Sequence, residues 1–155
     1  HMVFSTLHTN DAPATLTRLL NMGVPAFNVA SAISLIVAQR LARTLCNSCK
    51  VETEIAEPTL LDFGFTSEQI KEHKIYDPNL DGCAKCTLGY KGRTGLFQVM
   101  ELSKNMKQLI MQGCTEKDIE HAALEDGVMD LRHAGMQKIL DGITSVAEIE
   151  RVTNV

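Results

Sequence analysis

The hydrophobic pattern of the first 46 residues predicts a strand, two helices and a second strand. Residues 3–7 alternate in β-branched and apolar character like a short buried strand, and the polar turn after them can cap a helix for which Gly23 is a natural stop. Residues 27–38 carry small and apolar side chains that suit a helix packed on a sheet. Residues 39–46 can continue as a strand.

The composition of the remaining residues changes twice along the chain. Residues 46–86 are polar with few aromatic side chains, although Thr66 and Gln69 give a capping signal for a short helix. Residues 88–95 predict a glycine-rich turn, and residues 96–102, with apolar side chains on both faces, predict a buried strand. The remainder predicts helices, whose candidate caps are Ser103, Thr115 with Asp118, and Ser145 with Glu148.

Length and charge limit the classes of protein that fit. A chain of 155 residues with 45% hydrophobic residues can bury one ordinary core and a small satellite lobe. A formal net charge of −4 argues against a non-specific nucleic-acid binder. No apolar run is long enough to insert in a membrane, and no signal peptide is present, so we expect a cytoplasmic protein. Residues 1–2 are typical of a cleaved expression tag, and we expect the natural segment to be a fragment that begins at Val3.

Four cysteines form two pairs, each with two intervening residues: Cys46 with Cys49, and Cys83 with Cys86. Two such turns can direct four thiolates at one centre in the tetrahedral geometry that zinc prefers. Four protein ligands leave no position for water, so the predicted zinc is structural and its binding energy contributes to folding. Two disulfides and a dithiol redox pair are the alternatives, but a redox CxxC belongs beside a βαβ pattern that neither pair has.

Several segments together resemble the C-terminal half of the secretion and pilus-assembly ATPases. The segments that carry the resemblance are Ser5-Thr-Leu-His-Thr-Asn-Asp-Ala12, Leu19-Leu-Asn-Met-Gly23, Ala38-Gln-Arg-Leu-Ala-Arg43, the two cysteine pairs and Gly92-Arg-Thr-Gly95. The resemblance implies an α/β fold, the C-terminal part of a RecA-like P-loop ATPase domain with an inserted zinc lobe and a C-terminal helical bundle. The implied division is residues 3–45 in the ATPase core, 46–86 in the zinc lobe, 87–102 as a returning core strand and 103–155 as a helical subdomain.

The family resemblance also implies a function for the parent protein. It would be a hexamer at the cytoplasmic face of the bacterial inner membrane, using ATP and Mg²⁺ to drive assembly of type IV pili or the type II secretion pseudopilus. The tetracysteine lobe resembles the assembly motors rather than the retraction motors. The phosphate-binding string GxxxxGK[ST] does not occur here, so we expect the fragment alone to be inactive. The alternative is a zinc-dependent interaction module that docks the motor onto its inner-membrane platform protein.

Four residues are candidates for the nucleotide site. His8 follows the first strand in a polar turn, where the residues alone favour a loop histidine that satisfies its own turn. By resemblance it matches the histidine that acts on the γ-phosphate side, with Thr6 and Thr9 as weaker candidates beside it. Arg93 matches an arginine near the adenine, where a guanidinium can stack on a base, although a solvated turn arginine is an equal alternative.

Arg40 and Arg43 are three residues apart, and either a subunit contact or an ordinary ion pair fits them, with the ion pair favoured. Cys114 has no cysteine partner at ligand spacing and is expected to be a small buried hydrophobe. Because the family's ring contacts join unlike halves of neighbouring subunits, we expect this chain to be a monomer or a weak dimer.

Overall fold

The computed structural model describes residues 1–154 and divides the chain into two compact units. Unit 1 comprises His1–Gln39 and Phe97–Leu131, and unit 2 comprises Arg40–Leu96 and Arg132–Val155. No helix among the described residues has the length and apolar character needed to cross a membrane.

Helices and strands alternate at first, and the chain then ends in four helices. In order they are α1 (Ala12–Asn21), α2 (Ala26–Ala32), β1 (Leu35–Leu45), β2 (Val51–Glu52), α3 (Glu57–Phe63), α4 (Ser67–Glu72), β3 (Tyr76–Asp77), β4 (Tyr90–Glu101), α5 (Lys104–Gln112), α6 (Glu116–Glu125), α7 (Leu131–Leu140) and α8 (Val146–Thr153).

Unit 1 has a core built from α1, α2, α5, α6 and the adjoining parts of β1 and β4. Among its fully buried side chains are Leu16, Met106, Ile110 and Ile119. The predicted helix caps are confirmed: Asp11 accepts a hydrogen bond from Ala14 N, Ser103 caps α5, and Thr115 forms a capping box with Asp118.

The prediction of a strand over residues 3–7 is wrong. These residues have no regular secondary structure, and Phe4 is 90% exposed. A strand is stable only when a neighbour satisfies its backbone hydrogen bonds, and none of the described strands pairs with this segment.

β1 and β4 form a two-stranded sheet. Leu102 N donates to Ser34 O at one end of the pair and Cys46 N donates to Gly89 O at the other, so the strands run antiparallel. Burial alternates along β1, which places its first residues in a strand where the pattern predicted a helix over residues 27–38. Helix α2 ends at Ala32 because the apolar residues that follow it have the period of a strand.

One face of this sheet is apolar and only half covered. Leu35 and Val37 on β1 and Phe97 and Val99 on β4 are each about half exposed. The prediction that residues 96–102 are buried on both faces is therefore wrong among the described residues. A second prediction also needs correction, since β4 begins at Tyr90 within the expected glycine-rich turn.

Unit 2 contains a small lobe between the two cysteine pairs. Strands β2 and β3 pair antiparallel, and α3 and α4 lie between them in sequence. Phe63 stacks on Phe65 with their ring centroids 5.7 Å apart, and the Arg132 guanidinium lies 4.3 Å from the Phe63 ring. The predicted capping box of Thr66 and Gln69 is confirmed. The lobe therefore has a modest apolar core of its own and a contact with α7.

Candidate metal centre

Each cysteine pair lies in a tight turn that brings its two sulfurs together. Cys49 N donates to Cys46 O at 3.1 Å, and Cys86 N donates to Cys83 O at 3.2 Å. Backbone N–H groups also point at sulfur, since Cys83 N lies 3.2 Å from Cys86 Sγ and Lys85 N lies 3.5 Å from Cys83 Sγ. Such N–H groups stabilise a thiolate, so both turns are suited to anionic sulfur ligands.

The four sulfurs converge on one point, as predicted. They all lie within 4.8 Å of one another. The separations are 3.8 Å between Cys46 and Cys83, 3.5 Å between Cys49 and Cys86, and 3.6 Å between Cys83 and Cys86. Zn–S bonds of about 2.3 Å in a tetrahedron place the sulfurs about 3.8 Å apart, so the site fits zinc. A disulfide requires about 2.05 Å, and all four cysteines are free thiols in the structure.

The two thiols of the first cysteine pair differ in pKa. A hydrogen bond from the Ser48 backbone N–H lowers the pKa of Cys46 to about 7. Burial, reinforced by the neighbouring Cys86 thiol, raises the pKa of Cys49 to about 12. Four negative sulfurs this close repel one another strongly, and a divalent cation at their centre removes that repulsion.

A tight hairpin follows the second cysteine pair. Thr87 and Tyr90 exchange backbone hydrogen bonds of 3.1 and 3.0 Å, leaving Leu88 and Gly89 as the two central residues. Both have positive φ, +49° at Leu88 and +78° at Gly89, as a type I′ turn requires. A Cβ on Gly89 would lie 2.6 Å from Asn79 O, so only glycine fits there. Leucine at a left-handed position costs about 1–2 kcal/mol.

Close to the first cysteine pair, a buried carboxylate ties β1 to the last helix. Glu148 is fully buried and accepts hydrogen bonds from the guanidinium groups of Arg43, at 2.6 and 3.0 Å, and Arg151, at 2.7 and 3.0 Å. It also accepts from Arg43 N at 2.8 Å. The favoured alternative for Arg43, an ion pair, is therefore confirmed. Burial by itself raises the pKa of Glu148, but the hydrogen bonds from Arg151 and Arg43 lower it to about 2.

The same junction is reinforced by aromatic and backbone contacts. The Arg43 guanidinium lies 4.1 Å from the centroid of the Tyr90 ring, and the Tyr90 hydroxyl lies 2.9 Å from Ser145 Oγ. Leu45 N donates to Ile143 O at 2.8 Å. The end of β1 that leads into Cys46 is thus held by α8 and by the loop before it.

The candidate nucleotide residues are placed as follows. His8, in unit 1, is exposed and lines a cavity of about 500 Å³ whose other polar walls include Thr9, Thr17, Arg18 and Glu116. Thr6 precedes it in the same exposed segment. Thr9 bonds Thr15 through its hydroxyl at 2.7 Å.

Arg93 is exposed in unit 2 and extends from β4 rather than from a turn. Arg40 is half-buried on β1. Cys114 is partly buried in unit 1, where burial raises the pKa of its thiol, and Ile119 and Met106 belong to the core beside it. A small, weakly acidic thiol packed on this core agrees with the predicted apolar role.

The structure is that of a mixed α/β protein whose four clustered cysteines could hold a metal ion. The sequence matches the family described as "Type II/IV secretion system protein" over residues 1–151. It is 50% identical over 99% of its length to the type IV pilus assembly ATPase PilB of Pseudomonas aeruginosa. It is 36% identical over 99% of its length to the type II secretion system protein E of Aeromonas hydrophila.

The chain therefore belongs to the family of type II/IV secretion system proteins. This confirms the resemblance to the secretion and pilus-assembly ATPases. The chain spans 27% of the Pseudomonas protein and 30% of the Aeromonas protein, about a quarter to a third of each relative.

Sequence reasoning missed two residues of this region. The sequence predicts a capping box of Ser145 with Glu148, but only half of it is present, since Ser145 accepts a hydrogen bond from Glu148 N. The Glu148 side chain binds Arg43 and Arg151 instead, and Arg43 is 105 positions away along the chain. Leu88 was assigned to a longer glycine-rich turn. The pattern Thr87-Leu-Gly-Tyr90 does contain a hairpin signal, but leucine lies outside the usual preference for asparagine, aspartate or glycine at that turn position.

Proposed function

We propose that this chain is the C-terminal part of a hexameric cytoplasmic ATPase that powers assembly of type IV pili or of the type II secretion pseudopilus. The observation that carries the proposal is the identity to relatives named as pilus assembly ATPases, which extends over nearly the whole chain. Hydrolysis belongs to the parent protein with ATP and Mg²⁺. The chain alone carries no GxxxxGK[ST] string and is inactive.

In the parent, the histidine side chain acts at the nucleotide. His8 lies on a cavity that is also lined by Arg18 and Glu116, so a cation and a carboxylate both face a group bound there. His8 donates a hydrogen bond on the γ-phosphate side, Thr6 orients the segment, and Arg93 stacks beside the adenine. His8→Ala is then expected to lower turnover more than nucleotide affinity, since the contact is made mainly during hydrolysis.

The metal is a structural zinc held by Cys46, Cys49, Cys83 and Cys86. The sulfur separations near 3.8 Å support this assignment. The metal supplies no catalytic step. It fixes the lobe to the end of β1 and to the hairpin before β4.

A second function is favoured by the position of the lobe between two strands of the sheet. The metal lobe serves as the part of the motor that contacts an inner-membrane platform protein, and the neighbouring ATPase subunits are the other partners. This role is compatible with the first, because a motor needs both a nucleotide site and a surface through which to act.

A chimera tests the proposed function. This chain replaces the matching segment of the Pseudomonas pilus ATPase in a strain that lacks its own copy, and a second chimera is made in the Aeromonas secretion protein. We expect ATPase activity in both, together with restored pili in the first or restored secretion in the second. The matched control is the same chimera with His8→Ala. A folded, zinc-containing chimera without ATPase activity in either background contradicts the proposal.

A further inference from the structure

We propose that the guanidinium groups of Arg43, Arg93 and Arg151 form one cationic surface of unit 2, and that this surface binds an acidic segment of a partner protein. None of these residues is a ligand of the candidate metal centre. The surface goes beyond the proposed nucleotide contact, which involves Arg93 alone of the three.

Glu148 holds two of these guanidinium groups side by side. Arg43 and Arg151 each donate through Nε and Nη2 to the same buried carboxylate, at distances of 2.6 to 3.0 Å. Their side chains nevertheless remain 44% and 58% exposed. The Tyr90 ring, 4.1 Å away, covers one face of the Arg43 guanidinium. Because both side chains are already ordered, a partner that binds them has less conformational entropy to remove.

The register of the sheet near the first cysteine pair places the third arginine. Cys46 N donates to Gly89 O, so these two residues face each other on neighbouring antiparallel strands. Counting along both strands from this pair makes Thr44 face Lys91. The hydroxyl of Thr44 donates to Lys91 O, which agrees with this register.

A bulge then brings Arg93 to the same side of the sheet as Arg43. Regular counting makes Arg43 face Gly92, but Gly92 has φ +84°, which a regular strand does not use. A glycine with this φ is the first residue of a G1 bulge, in which it and the next residue both face one residue of the partner strand. Arg93 therefore also faces Arg43. Both are exposed, and the Cβ atoms of facing residues lie about 4.5–5.5 Å apart.

Positive charge is concentrated in this part of unit 2. Residues 46–86 have a formal charge of −4, from eight carboxylates and four lysines. The other residues of unit 2, which are 40–45, 87–96 and 132–155, have a formal charge of +4. The basic residues there are Arg40, Arg43, Lys91, Arg93, Arg132, Lys138 and Arg151, and the acidic residues are Asp141, Glu148 and Glu150.

The three arginines share one carboxylate, so their charge is only partly neutralised. Arg43 and Arg151 contact Glu148 without using Nη1, and Arg93 has no ion pair or side-chain hydrogen bond among the described residues. A guanidinium binds a carboxylate through two parallel hydrogen bonds. A segment with several aspartates or glutamates can therefore engage all three groups, whereas a basic segment is repelled.

The test uses the zinc-loaded chain, without nucleotide, and a fluorescently labelled peptide with glutamate at alternate positions. Fluorescence anisotropy is expected to show binding that weakens as NaCl is raised. Arg93→Gln is expected to weaken binding about fivefold, because it removes one charged contact and leaves Glu148 with both of its arginines. The zinc content and melting temperature of this variant are expected to stay unchanged.

Arg43 and Arg151 are followed by NMR, because replacing either one would disturb the contacts of the buried Glu148. The Nε–H signals of the arginine side chains are recorded as the peptide is added. The signals of Arg43, Arg93 and Arg151 are expected to shift, and the signal of Arg132 is expected to stay in place.

Controls separate this surface from general attraction between charges. Lys71→Gln removes the same charge from an exposed residue on α4 and is expected to leave binding unchanged. A peptide with glutamine in place of glutamate is expected not to bind. Pyrophosphate at the concentration of the peptide is expected not to displace it.

Four outcomes overturn the inference: equal binding by wild type and Arg93→Gln, equal loss with Lys71→Gln, shifts confined to other arginines, or displacement by equimolar pyrophosphate, which would identify a phosphate site instead. The assay contains no nucleotide, so its result does not depend on the ATPase activity proposed for the parent.

Discussion

Replacing Glu148 by glutamine tests the strongest electrostatic contact of unit 2. The Glu148 side chain is fully buried, and five hydrogen bonds from Arg43 and Arg151 converge on its two oxygens. Glutamine keeps the shape but loses the charge and one acceptor oxygen. We therefore expect the free energy of unfolding to fall.

The size of the loss follows from the pKa. A fall in the pKa of Glu148 from its ordinary 4.5 to about 2 corresponds to about 3 kcal/mol of stability at neutral pH. Removing one partner of a buried ion pair costs about 3–5 kcal/mol when the other charge stays buried. Here the Arg43 and Arg151 side chains are 44% and 58% exposed and can return to water. We therefore expect a loss of about 2–3 kcal/mol, below that range.

The pH dependence follows from the same shift. Because the folded-state pKa is depressed, this contribution is fully present above about pH 4.5 and is lost as the pH falls towards 2. Acid also releases zinc from cysteine. The informative quantity is therefore the difference in stability between wild type and Glu148→Gln at each pH, which is expected to be constant near neutrality and to vanish near pH 2.

Urea unfolding followed by circular dichroism, at fixed zinc concentration, measures this difference. Glu150→Gln is the matched control, since Glu150 lies on the same helix but is exposed. It is expected to change stability by less than about 0.5 kcal/mol. A Glu148→Gln variant as stable as the control at pH 7, or a difference that persists unchanged to pH 2, would refute the argument.

Three further predictions concern the metal, the hairpin and assembly. Elemental analysis is expected to find about one zinc per chain. The Cys46→Ser variant is expected to lose this zinc and the Cys114→Ser variant to keep it. Zinc release by Cys114→Ser would contradict the proposed ligand set. Gly89→Ala is expected to lower the free energy of unfolding in urea by more than about 3 kcal/mol, because the added Cβ would meet Asn79 O. The control Gly127→Ala has a similar φ but open space around it, and it is expected to cost about 1 kcal/mol. Similar costs for the two variants would contradict the steric argument. Light scattering is expected to find a monomer or weak dimer, and a stable hexamer would show that these segments close a ring by themselves.

The features that sequence predicted best are those with local causes. The capping box of Thr115 with Asp118 joins residues three positions apart, and the spacing of each cysteine pair determines its own turn. The convergence of the two cysteine pairs was also predictable, because four soft ligands of one kind have few other uses in a chain with this composition. The capping box and each cysteine turn are therefore signals contained within a few consecutive residues.

Features that depend on distant partners were predicted poorly. The sequence of residues 3–7 has strand character, but a strand needs a neighbour that no other described segment provides. Residues 96–102 read as buried on both faces, yet Phe97 and Val99 are half exposed. The relatives are more than three times as long as this chain, so a pattern selected in such proteins need not be fully satisfied by these 155 residues.

The end of β1 connects the candidate metal site to the last helix. Consecutive residues of this strand are each bound by a different partner: Arg43 by Glu148, Thr44 through its hydroxyl by Lys91 O, Leu45 by Ile143 O and Cys46 N by Gly89 O. Cys46 is therefore positioned by the protein before any metal arrives.

The second cysteine pair is held differently. Apart from their sulfur contacts with the first pair, Cys83 and Cys86 are held mainly by hydrogen bonds within their own turn. A metal ion bound by the four cysteines would join a sulfur ligand that is already fixed, at Cys46, to a segment that is held mainly by its own turn. Because a preformed ligand needs little ordering on binding, most of the ordering that accompanies metal binding would fall on residues 77–89.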